Sequence, residues 1–293
     1  MIVKPRFYDS FKCIASDCPD TCCAGWEIEV DADSHEYYSS LSGNDRDFVY
    51  SKLLRGENGE ALLCREGKRC AFLREDNLCE LILRFGEGAL CDICREHPRF
   101  YSGTENITEV GVGLCCFEAA RLWLESPIGF VCEDDGYAVG KSEKELYMRQ
   151  MDIIQRIAVS DEPLGKTLAE MIGDDDGDDV LYEKLCELYL QIELLDTDFP
   201  KRFSPDIPHV TDEYFKKLAV YFVYRYFFEL GEELCLRFAA ASVIMIAATG
   251  GDVAASAKDY SKEVEYDTDN LEKICDFLEN STGLALLCRE IFI

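Results

Sequence analysis

The chain has 293 residues, 48% of them hydrophobic, which suffices to bury a sizeable core in one large or two ordinary domains and excludes a disordered chain. It carries 58 acidic against 30 basic residues, a formal net charge of −28. So dense a negative charge argues against nucleic-acid binding and against docking on anionic lipid; it suits solubility or a cationic partner.

In chain order, Met1 to Lys12 is polar and mixed rather than basic, apolar and small, which predicts a cytoplasmic protein without a signal peptide. Trp26 to Val30 alternates apolar and acidic residues and predicts a half-buried strand. Asp33 to Leu54 predicts a helix capped by Ser34 or Asp33. Ser102-Gly103-Thr104-Glu105-Asn106, followed by Ile107, Val110 and Val112, predicts a hairpin running into Cys115-Cys116, and Glu118 to Glu125 a short helix. A polar stretch from Glu133 to Ser142 then separates two styles of sequence. We therefore expect a domain of residues 1–132, net charge −9, and one of residues 133–293, net charge −19.

The second part reads as helices. They run from Ser142 to about Val159, from Pro163 to Ile172, along Leu181, Leu185, Leu188, Ile192 and Leu195, then Thr211 to Leu230, Glu232 to Ala248 and Asn270 to Glu279. The Thr211 helix is apolar nearly all round, so it is expected to be central. The run Phe238 to Ala248 is 11 residues, against the roughly 20 that a membrane span needs. The acidic turn from Gly173 to Asp179 is no calcium loop: counting back from Gly177 puts Ile172 where the first ligand should stand, so it reads as a solvated turn. The expected fold is mainly α, α+β overall: a cysteine-rich metal-cluster domain with short β elements, packed on a helical domain.

Sixteen cysteines are present, and eleven lie between Cys13 and Cys116. Disulfides rarely persist in a reducing compartment, so this density points to metal or redox chemistry. The motifs are Cys13-x4-Cys18-x3-Cys22-Cys23, Cys70-x8-Cys79, Cys91-x2-Cys94 and Cys115-Cys116. Thiolates favour zinc, Cu(I) or iron–sulfur clusters, and a C-x2-C spacing turns two sulfurs toward one ion. The spacing alone does not choose the metal. It matches no ferredoxin run. It also lacks the C-x3-C-x2-C of common radical enzymes, since Gly25 stands where the third cysteine would be, and Cys91/Cys94 has no second C-x2-C pair. Eleven thiols leave room for one site or two. Cys132, Cys186, Cys235, Cys275 and Cys288 are expected to be core thiols.

The segment Phe11-Lys12-Cys13-Ile14-x3-Cys18-Pro19-Asp20-Thr21-Cys22-Cys23-Ala24-Gly25-Trp26-Glu27-Ile28 resembles the opening of the flagellin lysine-N-methylases. Cys70-Ala71-Phe72-Leu73-Arg74-Glu75-Asp76-Asn77-Leu78-Cys79 resembles their second block. Leu90-Cys91-x2-Cys94-x2-His97-Pro98-Arg99 resembles the third, with His97 where Tyr is commoner. Cys116-Phe117-Glu118-Ala119-Ala120-Arg121 is similar to a fourth, with Phe117 replacing Pro. The blocks cover about residues 7–125 and are shared with a wider group of cysteine-cluster, zinc- or iron-chelating proteins. The resemblance implies a bacterial enzyme that moves a methyl group from S-adenosylmethionine to lysine Nζ of flagellin. It also implies an iron–sulfur cluster, of the 4Fe–4S kind, with zinc as the alternative, on Cys13, Cys18, Cys22, Cys23, Cys70, Cys79, Cys91, Cys94 and Cys116. Cys64 and Cys115 match no block and are left out of this set.

A lysine amine has a pKa of about 10.4, so a methylating site must first strip its proton by desolvation or a nearby base. Neither the base nor the donor site is legible: there is no glycine-rich strand–turn–helix fingerprint. Tyr214, Phe215, Tyr221, Phe222, Tyr224, Tyr226, Phe227 and Phe228 would wall a pocket for a cation, and equally suit a core helix. His35 and His209 are expected at the surface. His97, three residues after Cys94, is a weaker ligand candidate. Trp26 is expected to pack over the cluster region, and Asp20 and Asp76 to cap turns. Arg99 and Arg121 either neutralise thiolates, hold the donor's carboxylate or make structural ion pairs. The acidic surface would draw in a lysine-bearing partner. The rival to an enzyme is a non-enzymatic zinc- or iron-binding module.

Overall fold

The computed structural model describes residues 1–25, 28–55, 61–63, 65–66, 69–173, 177, 180–210 and 213–293. Trp26, Cys64 and most of the acidic turn after Gly173 lie outside the described residues. The fold is mainly α with a small sheet, as expected.

The chain forms two compact units, Lys12–Pro98 and Met1–Phe11 with Arg99–Ile293. Strand β1 (Ile2–Pro5) opens the larger unit. The smaller unit follows with α1 (Ala32–Ser40), α2 (Gly43–Tyr50), the pair β2 (Leu53–Arg55) and β3 (Ala61–Leu63), the pair β4 (Arg65–Glu66) and β5 (Arg69–Cys70), then α3 (Glu80–Phe85) and α4 (Asp92–Glu96). The larger unit resumes with β6 (Arg99–Gly103), β7 (Thr108–Val112), α5 (Phe117–Glu125), β8 (Phe130–Glu133), α6 (Lys141–Val159), α7 (Leu164–Ile172) and α8 (Leu181–Tyr189). It ends with α9 (Tyr214–Leu230), α10 (Glu232–Thr249), α11 (Val253–Val264), α12 (Thr268–Glu279) and α13 (Leu284–Ile291).

The division therefore differs from the one expected at 132/133. The sheet decides it, with strand order β6-β7-β1-β8. Residues 2–5 pair antiparallel with β8, from Ile2 opposite Glu133 to Pro5 opposite Phe130, and parallel with β7. The hairpin β6–β7 formed as expected, with Arg99 opposite Val112. The buried Tyr224 on α9 donates its hydroxyl to the carbonyls of Val3 (2.9 Å) and Val110 (3.0 Å), which ties helix to sheet. Composition changes at Glu133 because a solvated loop begins there, not because a core ends.

Helix α9 is central, as its all-round apolar sequence requires: Phe215, Tyr221, Phe222, Tyr224, Tyr226 and Phe227 are all buried. Helix α10 beside it is buried from Cys235 to Ala248, so the 11-residue apolar run is a core helix. No helix among the described residues is long and apolar enough to cross a membrane. Helices α11 and α13 went unread in the sequence. Asp252 caps α11 by accepting from Ala255 N at 2.8 Å. Helix α13 approaches α7 so closely that a Cβ on Gly165 would stand 2.1 Å from the Cys288 carbonyl oxygen.

In the smaller unit the single helix expected over 33–54 is two, broken at Leu41-Ser42. Its cap is Asp31 rather than Asp33 or Ser34: Asp31 accepts from Ser34 N at 2.8 Å, while Ser34 is its donor inside the first turn. Val30, Tyr38, Val49, Phe72, Leu81 and Cys91 make the small core, with Cys70, Cys79 and Cys94 packed against it.

Candidate functional site

The cysteine blocks are brought together by short backbone links within residues 12–98. Cys70 N donates to Cys23 O at 2.8 Å, and Ala24 bridges Arg69, so the Thr21–Gly25 loop lies against β5. The chain then reverses at Arg74–Leu78. Asp76 accepts from Leu78 N at 3.3 Å, Asn77 takes the left-handed conformation at φ 60°, and Arg74 N meets Leu78 O at 3.0 Å. Asp76 is thus the turn-former expected of it. The reversal pairs Leu73 with Cys79 and returns Cys79 toward Cys70.

Cys79 and Cys91 each occupy the N-cap position of a helix, α3 and α4. Backbone N–H groups point outward there and favour negative charge, which suits a thiolate. One turn on, Cys94 brings its sulfur to 3.4 Å from that of Cys91. Sulfurs about 2.3 Å from a shared tetrahedral ion would stand about 3.8 Å apart, so C-x2-C at a helix start produces nearly that separation by itself.

Electrostatics show the same convergence. Burial pushes the Cys70 thiol up to about 11, and the charges of Cys23, Cys79 and Cys91 add to the rise. Burial raises Cys79 too, against the pull of the Leu81 and Ile82 N–H groups. The hydrogen bond between Cys91 and Cys94 lowers the first and raises the second. Cys23 is held near 7, first by its hydrogen bond with Cys22, with help from Thr21 and the positive charge of Arg69. Beneath them the buried Tyr38 donates to Ala89 O at 2.6 Å, just ahead of Cys91.

Cys23, Cys70, Cys79, Cys91 and Cys94 therefore share one neighbourhood, and Cys22 joins through Cys23. Cys13 is exposed, its sulfur accepting from Ala15 N at 3.4 Å, and Cys18 lies in the same loop. Cys116 belongs to the larger unit, at the N-cap of α5. Among the described residues no cysteines form a disulfide, and no three His, Cys, Asp or Glu side chains are grouped tightly enough to hold a metal as they stand. The gathered thiols fit a soft metal in donor chemistry, not as a closed ligand set.

Other candidates fall into place. His35 and His209 are exposed, as expected. His97 is half-buried at the end of α4, its N–H on Ile93 O. Arg121 makes ion pairs with Glu118 and Glu125 on its own helix, the structural one of its readings. Arg99 lies over the Phe11 ring at 5.7 Å. Cys235, Cys275 and Cys288 are core thiols and Cys186 is half-buried. Cys132 departs from expectation: it is exposed on β8, its sulfur 3.1 Å from the Tyr147 hydroxyl, because this edge strand is exposed at every residue from Val131 to Glu133. Cys115, which matched no block, is buried and pushed up to about 12 by that burial.

The chain is 30% identical to the flagellar biosynthetic protein FliU of Salmonella muenchen over 154 residues, which is 50% of this chain and 86% of that protein. The chain belongs to the FliU family. This FliU-family chain is also 30% identical over 132 residues to the lysine-N-methylases of Salmonella typhimurium (strain LT2) and Salmonella choleraesuis (strain SC-B67). That match takes in 43% of the chain but only 33% of each methylase, so the chain aligns with a third of their length. No family model and no solved structure matches it.

Proposed function

We propose that this chain is a protein-lysine methyltransferase that moves a methyl group from S-adenosylmethionine to lysine side chains of flagellin in the cytoplasm. The similarity to two proteins named lysine-N-methylase carries this reading. The flagellar name of the FliU relative supports the choice of substrate.

Cys23, Cys70, Cys79, Cys91 and Cys94 would hold an iron–sulfur cluster, with Cys13, Cys18 and Cys22 of the same unit as further members of the expected set. When bound, such a cluster supplies a Lewis-acidic or redox-active iron. The protein's own tasks are separate from it. The target lysine must be desolvated or deprotonated so that its nitrogen lone pair is free, and held in line with the methyl carbon and the sulfonium sulfur. The net charge of −28 favours encounter with a cationic segment, an attraction that salt should weaken.

The test is incubation of anaerobically purified, metal-loaded protein with flagellin and S-adenosylmethionine, with methyl-lysine mapped by mass spectrometry. New methyl-lysine supports the reading, and none with a loaded cluster ends it. A second reading, a non-enzymatic zinc or iron module, is favoured by the small share of the methylases that the chain matches. Colourless protein with zinc, no sulfide and no methylation would select it.

A further inference from the structure

Within the larger unit, one charged group is enclosed by aromatic rings. Arg225 on α9 places its guanidinium carbon 4.7 Å from the centre of the Phe100 ring, 5.3 Å from Tyr226 and 5.4 Å from Tyr266. Its Nη1 donates to the Tyr221 hydroxyl at 2.6 Å and pairs with Glu265 Oε1 at 3.2 Å. Glu265 is fully buried and saturated, because the hydroxyls of Tyr221 (2.9 Å) and Tyr226 (3.0 Å) also donate to it. The spacing on α9 explains the arrangement: Tyr221 and Arg225 are four residues apart and share a face.

The pair is not closed off. The Arg225 side chain is 11% exposed and Tyr266 beside it is 36% exposed. Among the described residues only Nη1 has a hydrogen-bonding partner, and the unused nitrogens are not among the fully buried polar atoms lacking one. Arg237, in the same unit, shows what a structural arginine does here: Nε and Nη2 are spent on the carbonyls of Leu278 and Ser281, at the end of α12. Arg225 instead leaves Nε and Nη2 uncommitted among the described residues, on a side chain that Glu265 holds through Nη1 and that is 11% exposed. A planar, pre-oriented guanidinium suits a carboxylate, and the exposed Tyr266 ring beside it suits a cation.

We propose that Arg225, held by Glu265 between the buried rings of Phe100 and Tyr226, binds the carboxylate of an amino-acid-bearing small molecule whose cationic part lies against the exposed Tyr266 ring. This rests on the methyltransferase reading, under which the ligand is the amino-acid end of S-adenosylmethionine, a carboxylate joined to an ammonium and a sulfonium. Glu265 is the positioning residue: it fixes the guanidinium without touching the ligand.

Calorimetry on the anaerobically purified, metal-loaded protein tests the assignment with two probes, S-adenosylmethionine and its decarboxylated form. The wild type should prefer the carboxylated form at least tenfold. Arg225→Lys should lose most of that preference, and Tyr266→Leu should weaken both probes about equally. Thermal melts check folding, and if Arg225→Lys does not fold, Tyr266→Leu decides. Equal binding of the two probes by the wild type overturns the site, as does an unchanged preference in Arg225→Lys or unchanged affinities in Tyr266→Leu. Each of these leaves methyl transfer standing if flagellin is still methylated. A wild type that binds neither probe overturns both.

Discussion

Glu109 on β7 and Gln150 on α6 meet in the interior, and each leaves one side-chain oxygen without a donor among the described residues. Gln150 Nε2 donates to Glu109 Oε2 at 3.1 Å and to the carbonyl of Tyr224 at 3.1 Å, so its donors are already committed. Burial pushes the Glu109 carboxyl up to about 8, against the smaller pull of Gln150 and Ser102. A protonated Glu109 has a hydrogen to offer that a carboxylate lacks.

This makes stability depend on pH with a definite sign. The folded chain keeps a proton that the unfolded chain, with an ordinary value of 4.5, releases between pH 4.5 and about 8. The contribution is complete below the lower value and is lost as pH rises through the upper one, by on the order of 5 kcal/mol at most. Urea midpoints measured from pH 5 to 8.5 should fall for the wild type and fall less for Glu109→Gln. Equal slopes for the two would remove Glu109 as the cause.

Gly165 is predicted to be intolerant of the smallest side chain. A Cβ there would lie 2.1 Å from Cys288 O and 2.7 Å from Phe292 O, both of them backbone atoms that cannot turn aside. Gly165→Ala must part α7 from α13 at about 1–3 kcal/mol or more. Gly173→Ala, at φ 69° with open space around it, bears only backbone strain, about 1 kcal/mol. Thermal melts should rank Gly165→Ala clearly below Gly173→Ala; the reverse order would mean that the helices do not approach so closely.

Tyr38→Phe leaves the Ala89 carbonyl without its buried donor at about 1–2 kcal/mol. Because Ala89 immediately precedes the Cys91 turn, faster hydrogen exchange is expected over residues 80–98, with little change beyond residue 140. Uniform acceleration along the chain would contradict a local role.

Among single Cys→Ser variants, Cys91 and Cys94 should lose most of the bound metal, and Cys288, a thiol of the larger unit's core, none. Cys13→Ser should lose less than either, since that thiol is exposed and bonded only within its own loop. Metal and sulfide content after anaerobic purification reads this directly. Full loading in both Cys91→Ser and Cys94→Ser would displace the site from the gathered thiols.

The sequence by itself determined whatever depends on near neighbours along the chain. Helical periodicity placed α6, α7, α9 and α10, the turn residues at 102–106 placed the β6–β7 hairpin, and Cys91-x2-Cys94 at a helix start sets its two sulfurs side by side. Block spacing named the cysteines worth watching, though not which of them meet. The tertiary structure decided everything that joins distant segments. Residues 2–5 read as a polar lead-in, yet their backbone groups are satisfied by β7 and β8 more than a hundred residues away, and this moves the domain division from 132 to the edges of the cysteine-rich unit. Cys23 meets Cys70 through one backbone bond that no local pattern announces. Arg225 and Glu265, forty residues apart, meet only because the fold brings α9 against the end of α11, among Phe100, Tyr226 and Tyr266. Local propensity is encoded in short windows, whereas burial and pairing are settled only when the whole chain has excluded its water.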